Sequence, residues 1–373
     1  MVFRFAGSVL IALLFSCIER IDDQGVMDDL NNSNIVIEGF VSDQPGPYSI
    51  GIFFPSSIGD NVLSRIPVPT KRVTLISDVG EAEDLISDGS GIHKTSEVGI
   101  IGVIGREYKL RIELLGGEVF ESEPEVLAPV GPVTDVRSEF VSFKPLTGPT
   151  EYGFKVFMDA ENQIGSVRWR FSGTYLVETF PKLRTHPKCK GAQPSPPTCS
   201  GYIWVPEELR VVRIGECTCC YCWARDNDKK PFLSDEIVST DGSYKNIEIA
   251  FIPFDVWRFH FGKYMIKVEQ MSLSGNAFEF WKIIRDQKNG STSLFQPAIG
   301  RIKTNFSSKN SDRQAIGFFY ATSIKQKVIF LGPDDARIPV PEFDLDNSQV
   351  CLFQDECNVA FPGASRTPPP EWE

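Results

Sequence analysis

Short stretches of the chain alternate between apolar and polar residues, and this pattern predicts β-strands separated by tight turns. From Ile35 to Val41 every second residue is apolar or glycine, which gives a strand with one buried face. The clearest strand is Tyr108–Leu114, where every second residue from Tyr108 is apolar. About six such segments fall between residues 34 and 127, at the spacing typical of an immunoglobulin-like β-sandwich.

A larger β-rich domain is predicted at 133–332, after a proline-rich linker at 124–132. The expected strands lie near 134–143, 152–160, 247–252, 263–271, 299–306 and 315–331, with a strand pair in 166–178. One amphipathic helix is predicted at 274–288, because Ala277, Phe280, Trp281 and Ile284 recur at helical spacing. Ser272 or Ser274 can cap its start. We therefore expect a mainly β chain with one helix.

The N-terminus has the layout of a secretory signal. One basic residue, Arg4, precedes an apolar stretch that is too short to span a bilayer, which takes about 20 apolar residues. The stretch ends in Leu14-Phe15-Ser16-Cys17, which resembles a bacterial lipobox. The resemblance implies that residues 1–16 are a signal peptide and that Cys17 receives a lipid. A plain signal peptide, or a buried strand with a chance cysteine, is the alternative.

Residues 17–33 are polar and acidic and are expected to form a solvated tether. Asp22-Asp23 and Asp28-Asp29 contribute acidic charge close to Cys17. Acidic residues at this position resemble the surface-export signal of Bacteroidota lipoproteins. We expect an outer-membrane protein that is anchored to the membrane by its lipid and faces the cell surface.

The remaining eight cysteines predict disulfides, because an exported chain meets an oxidising compartment. They are Cys189, Cys199, Cys217, Cys219, Cys220, Cys222, Cys351 and Cys357. Cys219 and Cys220 are neighbours and should take different partners, and Cys351 with Cys357 could close a small local loop. The others would staple an insertion at 181–235. The final segment, 333–373, is acidic and proline-rich and is expected to be poorly ordered.

A metal site is the competing interpretation of the cysteine cluster. The run Cys217-Thr-Cys219-Cys220-Tyr-Cys222 is dense in thiolates, and His186 lies nearby in the sequence. Structural zinc sites usually pair two Cys-x-x-Cys knuckles, or cysteine with histidine at set spacing. The spacing here is different, so we expect disulfides, no metal and no cofactor.

Charge and motifs narrow the possible functions. The net charge of −11 argues against a nucleic-acid partner, whose phosphates are bound by Lys and Arg. The sequence contains no Gly-x-Ser-x-Gly, phosphate-loop or His-Glu-x-x-His motif. Gly99-x-x-Gly102-x-x-Gly105 is followed by a predicted strand where a dinucleotide fingerprint needs a helix, so a turn is expected. We assign no catalytic residue.

Two groups of aromatic residues and three histidines complete the candidates. The histidines are His93, His186 and His260, and none lies in a pattern typical of a general base. His260 alternates with aromatic residues and is expected on a strand surface. The stripe 251–261 and the helix face with Phe280 and Trp281 would be a carbohydrate or peptide platform if exposed, and core if buried.

Several segments together resemble the Bacteroidota outer-membrane lipoprotein family catalogued as domain of unknown function 4249. They are the lipobox with Ile18-Glu19, Ile35–Tyr48, Gly105–Ile112, Glu121–Pro124, Val268–Leu273, Phe278–Trp281 and Gly317–Ser323. The resemblance implies a surface-facing accessory lipoprotein, often encoded beside a TonB-dependent outer-membrane receptor and expected to be its partner.

We expect a non-enzymatic accessory or ligand-binding lipoprotein whose ligand the sequence does not name. A secreted hydrolase and a structural or adhesion protein of the cell envelope are the alternatives. A hydrolase would use carboxylates as its acid and base, and the sequence does not identify which.

Overall fold

A computed structural model describes residues 34–55, 66–145, 148–162, 165–185, 195–237, 239, 241–290, 304–340 and 353–372. The predicted signal peptide and tether, Cys17, Cys189, Cys351 and His186 lie outside these residues. The strands, in chain order, are β1 (Ile35–Ser42), β2 (Ser49–Phe54), β3 (Ile66–Pro67), β4 (Thr70–Ser77), β5 (Ala82–Asp84), β6 (Ile86–Ser87), β7 (Ile92–Lys94), β8 (Glu107–Leu114), β9 (Val119–Ser122), β10 (Glu125–Val126), β11 (Val133–Phe143), β12 (Glu151–Glu161), β13 (Ser166–Glu178), β14 (Tyr202–Val205), β15 (Arg210–Arg213), β16 (Tyr221–Asn227), β17 (Phe232–Leu233), β18 (Ser243–Pro253), β19 (Tyr264–Leu273), β20 (Phe306–Ser308), β21 (Ala315–Thr322) and β22 (Ile324–Leu331).

The helices are few, and one of them is long. They are α1 (Val256–Phe259), α2 (Gly275–Gly290), α3 (Pro333–Ala336) and α4 (Cys357–Ala360), with 3-10 turns at Pro181–Thr185, Thr198–Ser200, Ser234–Glu236 and Pro370–Trp372. The predicted helix is α2, so that prediction and the mainly β fold class are confirmed. Among the described residues, no helix combines the length and apolar character needed to cross a membrane.

The N-terminal region is a β-sandwich of two sheets around a shared core. The first sheet has the order β21-β1-β2-β7-β6, with β3 beside β2; the second has the order β20-β9-β8-β4-β5, with β10 beside β8. Strand β8 shows why the sequence folds this way. Its residues alternate between buried and partly exposed positions, and Tyr108, Leu110, Ile112 and Leu114 all face the core, as the period of two requires.

Both sheets of the sandwich are completed by strands from much later in the chain. Strand β21 runs parallel to β1 over eight residue pairs, from Ile35 opposite Ala315 to Ser42 opposite Thr322. Strand β20 pairs with β9. The predicted boundaries are therefore wrong for residues 306–322, which were assigned to the second domain. Alternation gives a strand its buried face but does not select its partner strand.

The second region contains a three-stranded sheet, β11-β12-β18, and a sheet ordered β16-β13-β19-β22 with β17 beside β13. Their facing sides form one core, which includes the fully buried Trp169. The segment 166–178 is one strand of 13 residues, so the predicted strand pair is wrong. It pairs with β19 from Ser166 to Tyr175 on one side, and with β17 and then β16 on the other, which leaves no turn within it.

The linker between the two regions is fixed to strand β19. Ser272 donates a hydrogen bond to the carbonyl of Ala128 at 2.7 Å. The side-chain amide of Gln270 donates to the carbonyls of Gly131 and Glu161, both at 2.9 Å. Gln270 is fully buried, so these bonds form where water cannot replace them.

The C-terminal segment packs on the second region, and the expectation of a poorly ordered tail is wrong for its described residues, 333–340 and 353–372. Cys357 is bonded to Cys222 in β16. The Lys267 ammonium donates to the Glu371 carboxylate at 2.6 Å. The ring of Trp372 packs edge-on against that of Trp223. A covalent bond, an ion pair and an aromatic contact hold a segment whose composition alone predicts disorder.

The aromatic stripe at 251–261 is core at two of its five aromatic residues and includes a helical turn. Phe254 and Phe259 are buried, with ring centroids 4.8 Å apart. Asp255 caps α1 by accepting a hydrogen bond from the backbone N–H of Arg258. His260 follows this helix and is exposed, so the prediction of a strand position for it is wrong. The turn forms because Asp255 supplies the cap at its start.

Candidate binding cleft

A cleft lies where the sandwich, strand β13 and helix α2 meet, and we call it the arginine–aromatic cleft. Its volume is about 510 Å³, within the range of about 300–1,000 Å³ typical of small-molecule sites. Its main side chains come from four distant segments of the chain: Glu38 and Phe40 of β1, Arg168 and Arg170 of β13, Phe280, Trp281 and Ile284 of α2, and Phe318 and Tyr320 of β21.

Arg168 forms one wall of the cleft together with Trp281. The guanidinium carbon of Arg168 lies 3.9 Å from the centroid of the Trp281 ring, a cation–π distance. Its Nη2 donates to the Asp228 carboxylate at 3.2 Å. Arg168 is 9% exposed, and its Nε is buried without a hydrogen-bond partner. A buried donor left unpaired costs about 1–3 kcal/mol of stability. One donor in this wall of the cleft therefore lacks an acceptor within the protein.

Arg170 lies two residues further along β13, on the same face of the strand. Its Nε donates to the carboxylate of Glu269 on β19. Burial lowers the pKa of Arg170, but the Glu269 charge and hydrogen bond outweigh burial and raise it overall. The guanidinium also lies 5.4 Å from the ring of Phe40, which stacks on Tyr320. Both cleft arginines thus combine a carboxylate partner with an aromatic one.

Helix α2 is placed firmly, which fixes Trp281 in the cleft. The hydroxyl of Ser274 accepts a hydrogen bond from the backbone N–H of Ala277 at 3.1 Å and caps the helix. Further along, Arg285 donates to both carboxylate oxygens of Asp235, at 2.5 and 3.2 Å. A capped start and a bidentate ion pair restrict the rotation and sliding of the helix.

The described cysteines are joined in three disulfides. These are Cys199–Cys219, Cys217–Cys220 and Cys222–Cys357. The neighbours Cys219 and Cys220 take different partners. The proposed local loop between Cys351 and Cys357 is wrong, because Cys357 is bonded to Cys222 across a sequence separation of 135. Two of the bridges lie inside the predicted insertion, and the third joins it to the C-terminal segment.

The cysteines do not form a thiolate metal site among the described residues. The sulfurs of Cys199 and Cys219 lie close to a carboxylate oxygen of Glu356, as metal ligands would. Those two sulfurs are bonded to each other, and a disulfide sulfur is not the thiolate that zinc requires.

A second charged cluster, partly buried, lies in the second region around Arg258. Its guanidinium donates to both oxygens of Asp226, at 2.8 and 3.1 Å, and also to Asp255. The hydroxyl of Tyr264 donates to Asp226 at 3.0 Å. Burial, together with the Asp226 charge, raises the pKa of Tyr175 to about 12. Each carboxylate here already has a cationic partner, which is the arrangement of a structural ion-pair network.

Two of the three histidines, His93 and His260, lie in the described residues. His93 is buried, and its Nε2 is 2.7 Å from the Thr70 hydroxyl. Burial lowers the pKa of His93. His260 ends α1 on the surface. The structure brings neither histidine to the arginine–aromatic cleft.

Sequence reasoning found only one side of the cleft. The helix face with Phe280 and Trp281 was identified, and the structure places both residues in the cleft wall. Arg168 and Arg170 were missed, although basic residues that alternate with Trp169 and Phe171 mark a strand with two different faces. Glu38, Phe40 and Tyr320 read as ordinary strand residues, and only the pairing of β1 with β21 brings them together.

The chain matches a known protein family over most of its length. The family described as Domain of unknown function (DUF4249) matches residues 23–328. The chain belongs to this family. The DUF4249 match includes every residue of the arginine–aromatic cleft and ends before the C-terminal segment. No curated protein matches the chain. Membership in the DUF4249 family confirms the resemblance drawn from the sequence, while its lipoprotein and Bacteroidota parts stay predictions.

Proposed function

We propose that the protein is a non-enzymatic, lipid-anchored lipoprotein of a Bacteroidota outer membrane, and that it binds a ligand in the arginine–aromatic cleft as an accessory partner of a TonB-dependent receptor. The observation that carries the binding role is the cleft wall at Arg168, where a buried guanidinium N–H lacks a partner beside Trp281. The apolar N-terminal stretch ending at Cys17 supports anchoring, and the resemblance to the lipoprotein family supports the receptor.

The chemistry of the cleft favours a ligand with little net charge. Arg168 and Arg170 are each paired with a carboxylate, those of Asp228 and Glu269, and Glu38 adds a further acidic group to the lining. An anion would therefore meet nearly balanced charge. A ligand with an apolar face for the rings and neutral polar groups for the arginines fits this lining best.

A secreted hydrolase is the second candidate, and its best residue is Glu125. Burial raises the pKa of Glu125 to about 7, a value suited to a general acid. Glu125 does not line the arginine–aromatic cleft. Its carboxylate accepts a hydrogen bond from Ser274 at the start of α2, which ties it to the helix cap. The structural or adhesion role remains a third candidate.

The test is a pull-down of tagged, full-length protein from detergent-solubilised outer membrane. We expect a β-barrel receptor to co-purify with the wild type and to be absent when Cys17→Ala prevents lipidation. Globomycin, which blocks lipoprotein signal cleavage, should leave a heavier precursor of the wild type. If the lipidated wild-type protein is recovered without a barrel protein, the receptor role is wrong.

A further inference from the structure

The loop that joins β7 to β8 presents four aliphatic side chains to solvent, and we call residues 96–106 the aliphatic loop. Val98 is 91% exposed, and Ile101, Val103 and Ile104 are 46%, 46% and 48% exposed. An isolated exposed aliphatic residue is ordinary. Four within seven consecutive positions are a local concentration of exposed apolar side chains, and concentrated exposed apolar surface marks sites of interaction.

The aliphatic loop is held rigidly by hydrogen bonds to the sandwich. The carboxylate of Glu83 accepts from the backbone N–H of Ser96 at 2.6 Å and from that of Ile100 at 2.7 Å. The N–H of Gly102 donates to the Ser42 carbonyl at 2.8 Å. These bonds hold the loop backbone in the conformation that leaves the four side chains exposed. A loop that is already ordered loses little conformational entropy when it binds.

Two glycines make this close attachment possible. A Cβ on Gly99 would lie 2.2 Å from the nearer Glu83 oxygen, and a Cβ on Gly102 would lie 2.5 Å from the Ser42 carbonyl oxygen. The glycine pattern in the sequence thus belongs to a loop bonded to its support, as expected from the strand that follows it. The two glycines let the loop backbone lie against Glu83 and Ser42, and Val98 and its neighbours are left exposed.

The surroundings of the aliphatic loop are acidic. Glu97 in the loop and Glu107 directly after it are exposed, and Asp88 lines a groove together with Val98. Lys94 also lines this groove. The whole chain carries a net charge of −11. A partner that covers this patch should therefore offer an apolar groove with a basic rim.

A protein groove fits these features better than a lipid surface. Segments that bind membrane interfaces combine apolar side chains with Trp or Phe and with several Lys or Arg residues. The aliphatic loop has no Trp or Phe, and its single basic residue, Arg106, is paired with Glu81 at 3.5 Å.

We propose that the aliphatic loop docks into an apolar groove with a basic rim on a partner protein. That this partner protein is the outer-membrane receptor rests on the proposed function, whereas the docking role rests on the geometry of the loop. Binding would remove the exposed parts of the four aliphatic side chains from water, which contributes to the stability of the complex. Because that contribution comes from apolar burial, a charged substitution should remove it.

The experiment places a photo-cross-linking amino acid, benzoylphenylalanine, at position 98 or at position 115 of full-length lipidated protein in intact cells. Leu115 is the matched control, since it is 68% exposed and lies beyond the other end of β8, about 25 Å away. We expect a protein adduct from position 98 and none from position 115. Purified partner should then bind Val98→Glu/Ile104→Glu at least 10-fold more weakly than wild type, and Leu115→Glu equally well.

The possible results distinguish the docking role of the loop from the proposed receptor role of the whole protein. Cross-linking to lipid would overturn the inference in favour of a membrane contact, and equal adducts from both positions would overturn it as well. If a barrel receptor co-purifies but position 98 gives no adduct, the receptor role stands and the loop inference is wrong. If the adduct partner is not a barrel and the charged variant still loses binding, the loop docks and the receptor role is wrong.

Discussion

The buried carboxylate of Glu125 accepts a hydrogen bond from the hydroxyl of Ser274, the residue that caps helix α2. Glu125 is in β10 at the edge of the sandwich, and Ser274 directly follows β19 of the second region. The bond therefore connects the two regions at the point where α2 begins. Burial is the main cause that raises the pKa of Glu125 to about 7, and the Ser274 bond opposes it in part.

This carboxyl should make stability depend on pH. The folded protein holds the Glu125 proton more tightly than the unfolded chain, so the stabilisation is complete below pH 4.5 and is lost as pH rises through about 7. The loss should total about 3 kcal/mol. Glu125→Gln should remove this dependence while keeping an oxygen that accepts from Ser274.

The measurement is the free energy of unfolding in urea for wild type and Glu125→Gln from about pH 5 to about pH 8. His93 acts in the opposite direction in an overlapping window, because burial lowers its pKa. The difference between the two proteins cancels that contribution. Parallel curves for the two proteins would mean that Glu125 is not the group responsible.

The bridge between Cys222 and Cys357 should stabilise the fold far more than the bridge between Cys217 and Cys220. Their sequence separations are 135 and 3, and the longer loop loses more entropy in the unfolded chain. The chain-entropy model gives about 5 and about 1.5 kcal/mol. Urea unfolding of Cys222→Ser/Cys357→Ser and of Cys217→Ser/Cys220→Ser tests this. Similar losses in both variants would contradict it.

Replacing Gln270 by leucine should destabilise the protein by about 3 kcal/mol or more. Gln270 accepts the indole N–H of Trp169 at 2.7 Å and donates to the carbonyls of Gly131 and Glu161. Leucine has a similar volume but would leave all three groups buried and unpaired. Gln326→Leu, at an exposed position of the adjacent strand, should change stability by at most about 0.5 kcal/mol. Thermal unfolding of both variants makes the comparison.

Removing the indole of Trp281 should abolish retention of a ligand in the arginine–aromatic cleft. Wild-type protein purified from solubilised outer membrane is expected to carry a small-molecule adduct by native mass spectrometry, and Trp281→Ala should lack it. Trp204→Ala removes an indole from β14, outside the cleft, and should keep the adduct. Loss of the adduct in both variants, or its persistence in Trp281→Ala, would speak against the cleft as the site.

The sequence predicts those features that depend on near neighbours along the chain. Alternation identified β1, β2 and β8, and helical spacing with a capping serine identified α2. These signals are local, because a strand or helix repeats its buried face every two or every three to four residues. The short helix α1 was missed since four residues are too few to show a helical period.

Features that depend on distant segments could not be predicted in the same way. The parallel pairing of β1 with β21 and the bond between Cys222 and Cys357 are choices among many partners of similar local character. Eight cysteines alone allow 105 pairings. The arginine–aromatic cleft could not be predicted for the same reason. Its residues Phe40, Arg168, Trp281 and Tyr320 come together only when distant segments of the chain pair.

The parallel pairing of β1 with β21 also bears on the order in which the protein can fold. Synthesis delivers β1 long before residue 315 exists, and until then one edge of the first sheet has no neighbour. An unpaired edge is an aggregation hazard, and pairings between distant segments form slowly. A nascent chain of this protein therefore carries an open sheet edge through most of its synthesis, and a fragment that stops at residue 127 would keep that edge permanently.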